Sequence, residues 1–155
     1  MEEKFMKEAL KEAKKAFCKK EVPIGAVIIY KNKIISRGYN LRESKNNSLI
    51  HAEIIAINKA CKKLKSWRLD ECDLYVTLEP FTMCAGAIIQ SRIKNVFFGA
   101  KDPKSGCVSS KIELFKPNLF NHNVNFADGV LESECSEILK EFFSELRKVD
   151  KPKKL

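Results

Sequence analysis

Leu74-Tyr75-Val76-Thr77-Leu78-Glu79-Pro80-Phe81-Thr82-Met83-Cys84-Ala85-Gly86-Ala87 lies near the middle of this 155-residue chain, and its reading decides the fold. Asp73 to Leu78 is apolar and β-branched, which predicts a strand. Pro80 suits the opening of a helix, because the N–H it lacks would have no partner there. That helix is predicted to run to about Ser91. A strand therefore hands over to a helix within a few residues.

The same alternation extends in both directions. Residues 1–19 read as a helix, with Met6, Leu10, Ala13 and Phe17 at helical spacing. Val22 to Tyr30 and Ile34 to Asn40 read as two strands joined by the polar turn Lys31-Asn32-Lys33. Leu41 to Ser48 is a polar loop, and His51 to Leu64 is a helix with Ile54, Ile55, Ile57 and Ala60 apolar. Beyond Ser91 come a strand at Asn95–Gly99, a loop to Ser110, a short helix near Lys111–Phe115 and a strand near Asn123–Phe126. A last helix spans about Leu131 to Lys148, and a basic tail follows over 151–155. The expected fold class is α/β: a three-layer α/β/α sandwich of one domain (1–150) around a mixed sheet of about five strands.

Composition narrows the class. Apolar residues make up 45% and charged residues 32%, as in a globular protein with a real core. The net charge of +9, carried mostly by lysine, gives a solvated basic surface and favours an anionic partner, nucleic acid above all. No apolar run reaches membrane-spanning length, and no secretory leader is visible, so a cytoplasmic location is expected. The six cysteines are scattered without short paired spacing, which argues against a disulfide framework.

Three residues carry chemistry. His51 and Glu53 lie at the start of one predicted helix and Cys84 in the first turn of another. In open α/β sheets, ligands bind beyond the strand ends, where helices begin. The positive end of a helix also favours a thiolate over a thiol at Cys84. An imidazole and a thiolate could share a metal there, with Glu53 moving protons. A His-x-Glu alone occurs by chance in helices, and a Cys in a small-residue turn is ordinarily a core thiol. Joined with Thr77-Leu78-Glu79-Pro80 and the element order, chance is a poor explanation.

On these segments the chain resembles the bacterial tRNA adenosine deaminases of the cytidine-deaminase-like superfamily. The resemblance rests on Val22-Pro23-Ile24-Gly25-Ala26-Val27, Gly38-Tyr39-Asn40, His51-Ala52-Glu53-Ile54 and the 74–87 stretch. Ser91-Arg92-Ile93, Phe98-Gly99-Ala100, Asp102-Pro103-Lys104 and Asn121-His122 add to it. It implies zinc-dependent hydrolysis of a wobble adenosine to inosine in a tRNA anticodon stem-loop, by a homodimer. It also implies zinc on His51, on the residue at position 81 and on Cys84, with Glu53 as proton shuttle. Asn40 and Ala52 would bind the flipped base, Asp102 and Lys104 the anticodon loop, and Phe142, Phe143 and Arg147 the neighbouring nucleotides. Phe142 and Phe143 are adjacent, so one helical face cannot bury both. A free purine or a cytosine nucleoside is the alternative substrate, and an inactive RNA-binding homologue or partner subunit the alternative role.

The chain departs from that pattern most sharply at Phe81. Zinc deaminases of nucleobases carry Pro-Cys-x-x-Cys, and here Phe81 replaces the first Cys. Phenylalanine has no lone pair for a metal, and its ring could fill the volume where metal and water would sit. Cys72 begins the preceding strand and is too far away, while Cys107 reads as a core or loop thiol. Milder departures are Asn47-Ser48-Leu49-Ile50 before the His and Ser109-Ser110-Lys111 after the Asp102 loop.

Overall fold

The computed structural model describes residues 2–150, so the basic tail lies outside the described residues. The elements are α1 (Glu3–Cys18), β1 (Gly25–Tyr30), β2 (Lys33–Tyr39), α2 (Ala52–Leu64), β3 (Cys72–Leu78), α3 (Thr82–Gln90), β4 (Asn95–Ala100), β5 (Asn125–Ala127) and α4 (Glu132–Asp150). The sheet order is β2-β1-β3-β4-β5. β1 runs antiparallel to both β2 and β3, whereas β3, β4 and β5 are parallel. The sheet is therefore mixed, with five strands. Lys31 and Asn32 both have positive φ (49° and 63°), as a tight two-residue hairpin turn requires.

Alternation along the strands builds two cores. Ala26 and Ile28 face one side of β1, and Val27 and Ile29 face the other. Leu74 and Val76 of β3 and Val96 and Phe98 of β4 join the first core, which α2 and α3 cover. Tyr75 belongs to the second core, where α1 supplies Phe5, Met6, Ala9 and Leu10 and α4 supplies Cys135. Helices on both faces of one sheet make the three layers.

The expected short helix at Lys111–Phe115 does not form; the segment is a run of turns and bends. Its backbone donors are taken elsewhere. Lys111 and Ile112 donate to the Gly106 carbonyl, and Leu114 donates to that of Cys107. So short a helix has too few internal bonds to compete.

Gly38 sets where α2 begins. A Cβ at this position would run into the Ala52 carbonyl oxygen and would come within 3.0 Å of the Ala56 nitrogen. Absence of a side chain lets the first turn of α2, which carries Glu53, press against β2. Gly38→Ala should lower stability by about 1–3 kcal/mol, read as a shift of the urea unfolding midpoint.

Candidate functional site

α2 and α3 start side by side at one end of the sheet, and the residue preceding each helix has extended backbone. These N-cap residues are His51 (φ −89°, ψ 157°) and Phe81 (φ −83°, ψ 176°). Neither side chain caps its helix, so both are free for other contacts. Cys84, one turn into α3, places its sulfur 3.6 Å from His51 Nδ1. Glu53 completes a compact group, with one ligand-capable atom of each residue within 4.8 Å of the others. Among the described residues, this is the one cluster of His, Cys, Asp and Glu able to hold a metal.

The electrostatics follow from burial. Glu53 is only 4% exposed. Its burial pushes the carboxyl up to about 7, against the opposing effects of its own backbone N–H and of Cys84. His51 is shifted down, first by burial and then by the positive charge of Arg42. With no metal bound, burial, followed by the charge of Glu53, drives the Cys84 thiol far up, against the pull of the helix N-terminus.

Fit to zinc can be tested on the donors themselves. Zinc takes nitrogen at about 2.0–2.1 Å and sulfur at about 2.3 Å in a tetrahedron, so two such ligands stand about 3.6 Å apart. His51 and Cys84 match that edge. The third corner has no donor. Phe81 supplies none, and Cys107 is buried outside the cluster, its thiol donating to the Ser105 carbonyl at 3.4 Å. Cys72 sits at the far end of β3. The remaining group is Glu53, and a carboxylate used as a ligand is no longer a free base. These residues therefore do not make the set of three ligands, open position and separate base that a catalytic zinc requires.

Phe81 does not plug the site. Its side chain is 49% exposed and lines a cavity of about 300 Å³ together with His51, Glu53, Leu78 and Asp102. A smaller cavity of about 90 Å³ adjoins Asn40, Ala52 and Glu53. Asn40 and Ala52 are buried there. The Asn40 amide donates to the Val22 carbonyl at 3.3 Å, and its oxygen accepts from Arg42 N–H at 3.2 Å.

The other expected contacts divide. Asp102 lines the larger cavity, and its carboxylate accepts the N–H groups of Lys104 and Ser105, closing a turn. Lys104 is exposed on that turn and lines neither cavity. Phe142, expected at the RNA, is instead 8% exposed and packs edge-on against Phe17 of α1. Phe143 and Arg147 are exposed on α4 and line neither cavity.

Sequence reasoning missed Arg42, which lines both cavities from a loop read only as polar. That loop is held by Glu21, whose buried carboxylate accepts the N–H groups of Glu43 and Ser44. It also missed Glu79. This carboxylate, 3% exposed, accepts backbone N–H groups of Asp102, Val108, Ser109 and Ser110 and the Ser110 hydroxyl. Burial alone would raise the Glu79 carboxyl, but these donors hold it below its ordinary value. A Cβ on Gly106 would collide with the same carboxylate. The sequence signal was a lone acid closing an apolar strand.

A family model for MafB19-like deaminases matches residues 1–147. The tRNA-specific adenosine deaminase of Bacillus subtilis (strain 168) is 53% identical over 150 residues, covering 97% of this chain and 93% of that protein. This chain belongs to the tRNA-specific adenosine deaminase family. The Rickettsia bellii enzyme of the same name is 48% identical, covering 92% of this chain and 99% of its own. A solved structure from a study of A-to-I editing by tRNA:A34 deaminases superposes with a TM-score of 0.84 at 45% identity. It covers 88% of this chain and 99% of that one. Family membership and the mixed five-stranded fold thus agree with the sequence reading.

Glu53 also makes a stability prediction. Its folded pKa of about 7 lies above the ordinary 4.5. Its stabilising contribution is therefore complete below about pH 4.5 and is lost as pH rises through 7. In metal-free protein, Glu53→Gln should exceed the parent in stability at pH 8 by up to about 3 kcal/mol. The advantage should shrink towards pH 5, with urea midpoints at the two pH values as the check.

Proposed function

We propose that this chain binds the anticodon stem-loop of a tRNA and directs hydrolytic deamination of its wobble adenosine, at a rate limited by Phe81. The observation that carries the reading is the His51–Glu53–Cys84 group where two helices begin, with Glu53 and Cys84 buried and His51 half-buried, opening on a cavity large enough for a base. The named relatives, at about half identity over nearly the whole chain, support tRNA as the substrate class. Deamination consumes water and releases ammonia, so a group must take a proton from water and return protons to the ring nitrogen and the departing amine. Glu53 suits this, since a carboxyl poised near 7 is divided between both protonation states at neutral pH.

Other parts of the site suit RNA. Anticodon-loop bases can be splayed out without breaking a duplex. Asn40 and the backbone at Ala52 border the smaller cavity and would hold the edge of the base. Asp102 would lie beside the flanking nucleotides, with Lys104 reaching a phosphate. Phe143 and Arg147 offer an exposed ring and cation on α4, and a homodimer would bring them towards a partner's site. The +9 charge supports attraction to RNA. No described helix is long and apolar enough to cross a membrane, and tRNA as substrate is in keeping with a cytoplasmic location.

Zinc would be the metal, held weakly through His51 and Cys84. A second reading, stem-loop binding without turnover, is favoured by the single missing donor at Phe81. Both are tested by measuring bound zinc and inosine formation on an anticodon stem-loop. The parent should hold zinc below stoichiometry and turn over slowly. Phe81→Cys with added zinc should raise kcat/KM at least about tenfold, the lower range for restoring metal-site integrity. Stoichiometric zinc with equal turnover in parent and variant would remove Phe81 as the limitation. Absence of stem-loop binding at low salt would overturn the tRNA reading.

A further inference from the structure

The ring of Phe81 is an exposed aromatic face that lines the cavity beside His51 and Glu53. Extended backbone immediately before α3 directs the side chain away from the helix, leaving it half in solvent. None of the aromatic pairs among the described residues includes it. Around the 300 Å³ cavity Ile24 and Leu78 continue the apolar wall, His51, Glu53, Glu79, Asp102 and Ser105 supply polar lining, and Arg42 brings a cation to the rim. The Arg42 guanidinium is nearly half exposed and meets Glu43 only at a long 3.8 Å.

A flat apolar ring beside a cavity, with a cation at its edge, matches one kind of ligand. It fits a planar base attached to an anionic backbone, with the base face on the ring and a phosphate near the guanidinium. We propose that Phe81 is a base-stacking residue: its ring forms a wall of the base cavity and takes the face of the extruded purine, with Arg42 receiving an adjacent phosphate. The inference rests on the tRNA reading above and adds a binding determinant to it. A position that most zinc deaminases use for a metal ligand here supplies a stacking face. The site thus keeps affinity for the base while its hold on the metal falls.

The test uses the full chain with EDTA present and an anticodon stem-loop carrying 2-aminopurine at the wobble position. Stacking quenches the fluorescence of this base, so the signal reads the contact without any turnover. Parent and Phe81→Tyr should quench it on binding, and Phe81→Leu, of similar bulk but without a π face, should not. Phe81→Leu should also weaken binding at least about fivefold, the lower end of base–aromatic stacking. An abasic wobble position should erase the difference between parent and Phe81→Leu. Equal quenching and equal affinity in Phe81→Leu would overturn the proposal. An equal loss on the abasic RNA would also overturn it, because Phe81 would then serve the scaffold or a non-base contact. If the parent binds no stem-loop at low salt, the tRNA reading falls and this inference with it. Binding that ignores Phe81 sinks the inference alone.

Discussion

A carboxyl group held out of water where two helices begin is the constraint around which this molecule is arranged. Glu53 would ionise freely on a surface; here burial pushes it up to about 7. Keeping it buried requires α2 to press on β2 at Gly38 and α3 to arrive alongside from β3. Those positions depend in turn on the core beneath, where Ala26, Ile28, Leu74, Val76, Val96 and Phe98 lock the strands to α2 and α3. The site thus holds a carboxyl whose burial costs folding energy at neutral pH, where it would otherwise be fully ionised.

Two buried acids outside the cluster do a different job. Glu79 gathers the N–H groups of the 102–110 loop, and Glu21 gathers those of the 43–44 turn. Each remains charged because backbone dipoles replace the lost water. Each also fixes a loop that borders the cavity, one bringing Asp102 and the other Arg42. The rim of the site is therefore set by carboxylates spent on backbone N–H groups of the loops. Phe81 lines the same cavity as Arg42 and Asp102 of these two loops, so its ring shapes the mouth of that cavity and offers no metal donor there.

Much of the architecture was legible from local pattern. The apolar, β-branched runs at Val22–Tyr30 and Asp73–Leu78 report the two-sided burial seen in β1 and β3. His51, Glu53 and Cys84 were legible because a short motif fixes their positions relative to two helix starts. The failures share a cause. The turn at 111–115 resembles a helix until Gly106 and Cys107 take its donors. Phe142 resembles an RNA contact until α1 places Phe17 against it. Arg42 stands in a loop read only as polar, and Glu79 is part of a motif whose sequence does not show that its carboxylate gathers the 102–110 loop.

The sequence by itself determined the family, the identity of the three chemical groups and, apart from the helix expected at Lys111–Phe115, the element order, because these depend on spacing along one strand or helix. It also determined that position 81 offers no metal donor, since no fold can give phenylalanine a lone pair. Tertiary structure alone decided what remains there. It set the 3.6 Å edge between His51 and Cys84, raised Glu53 towards neutrality and left the Phe81 ring at the cavity mouth instead of inside it. The physical reason is that distance, burial and dielectric belong to packed neighbours, and those neighbours come from parts of the chain that are remote in sequence.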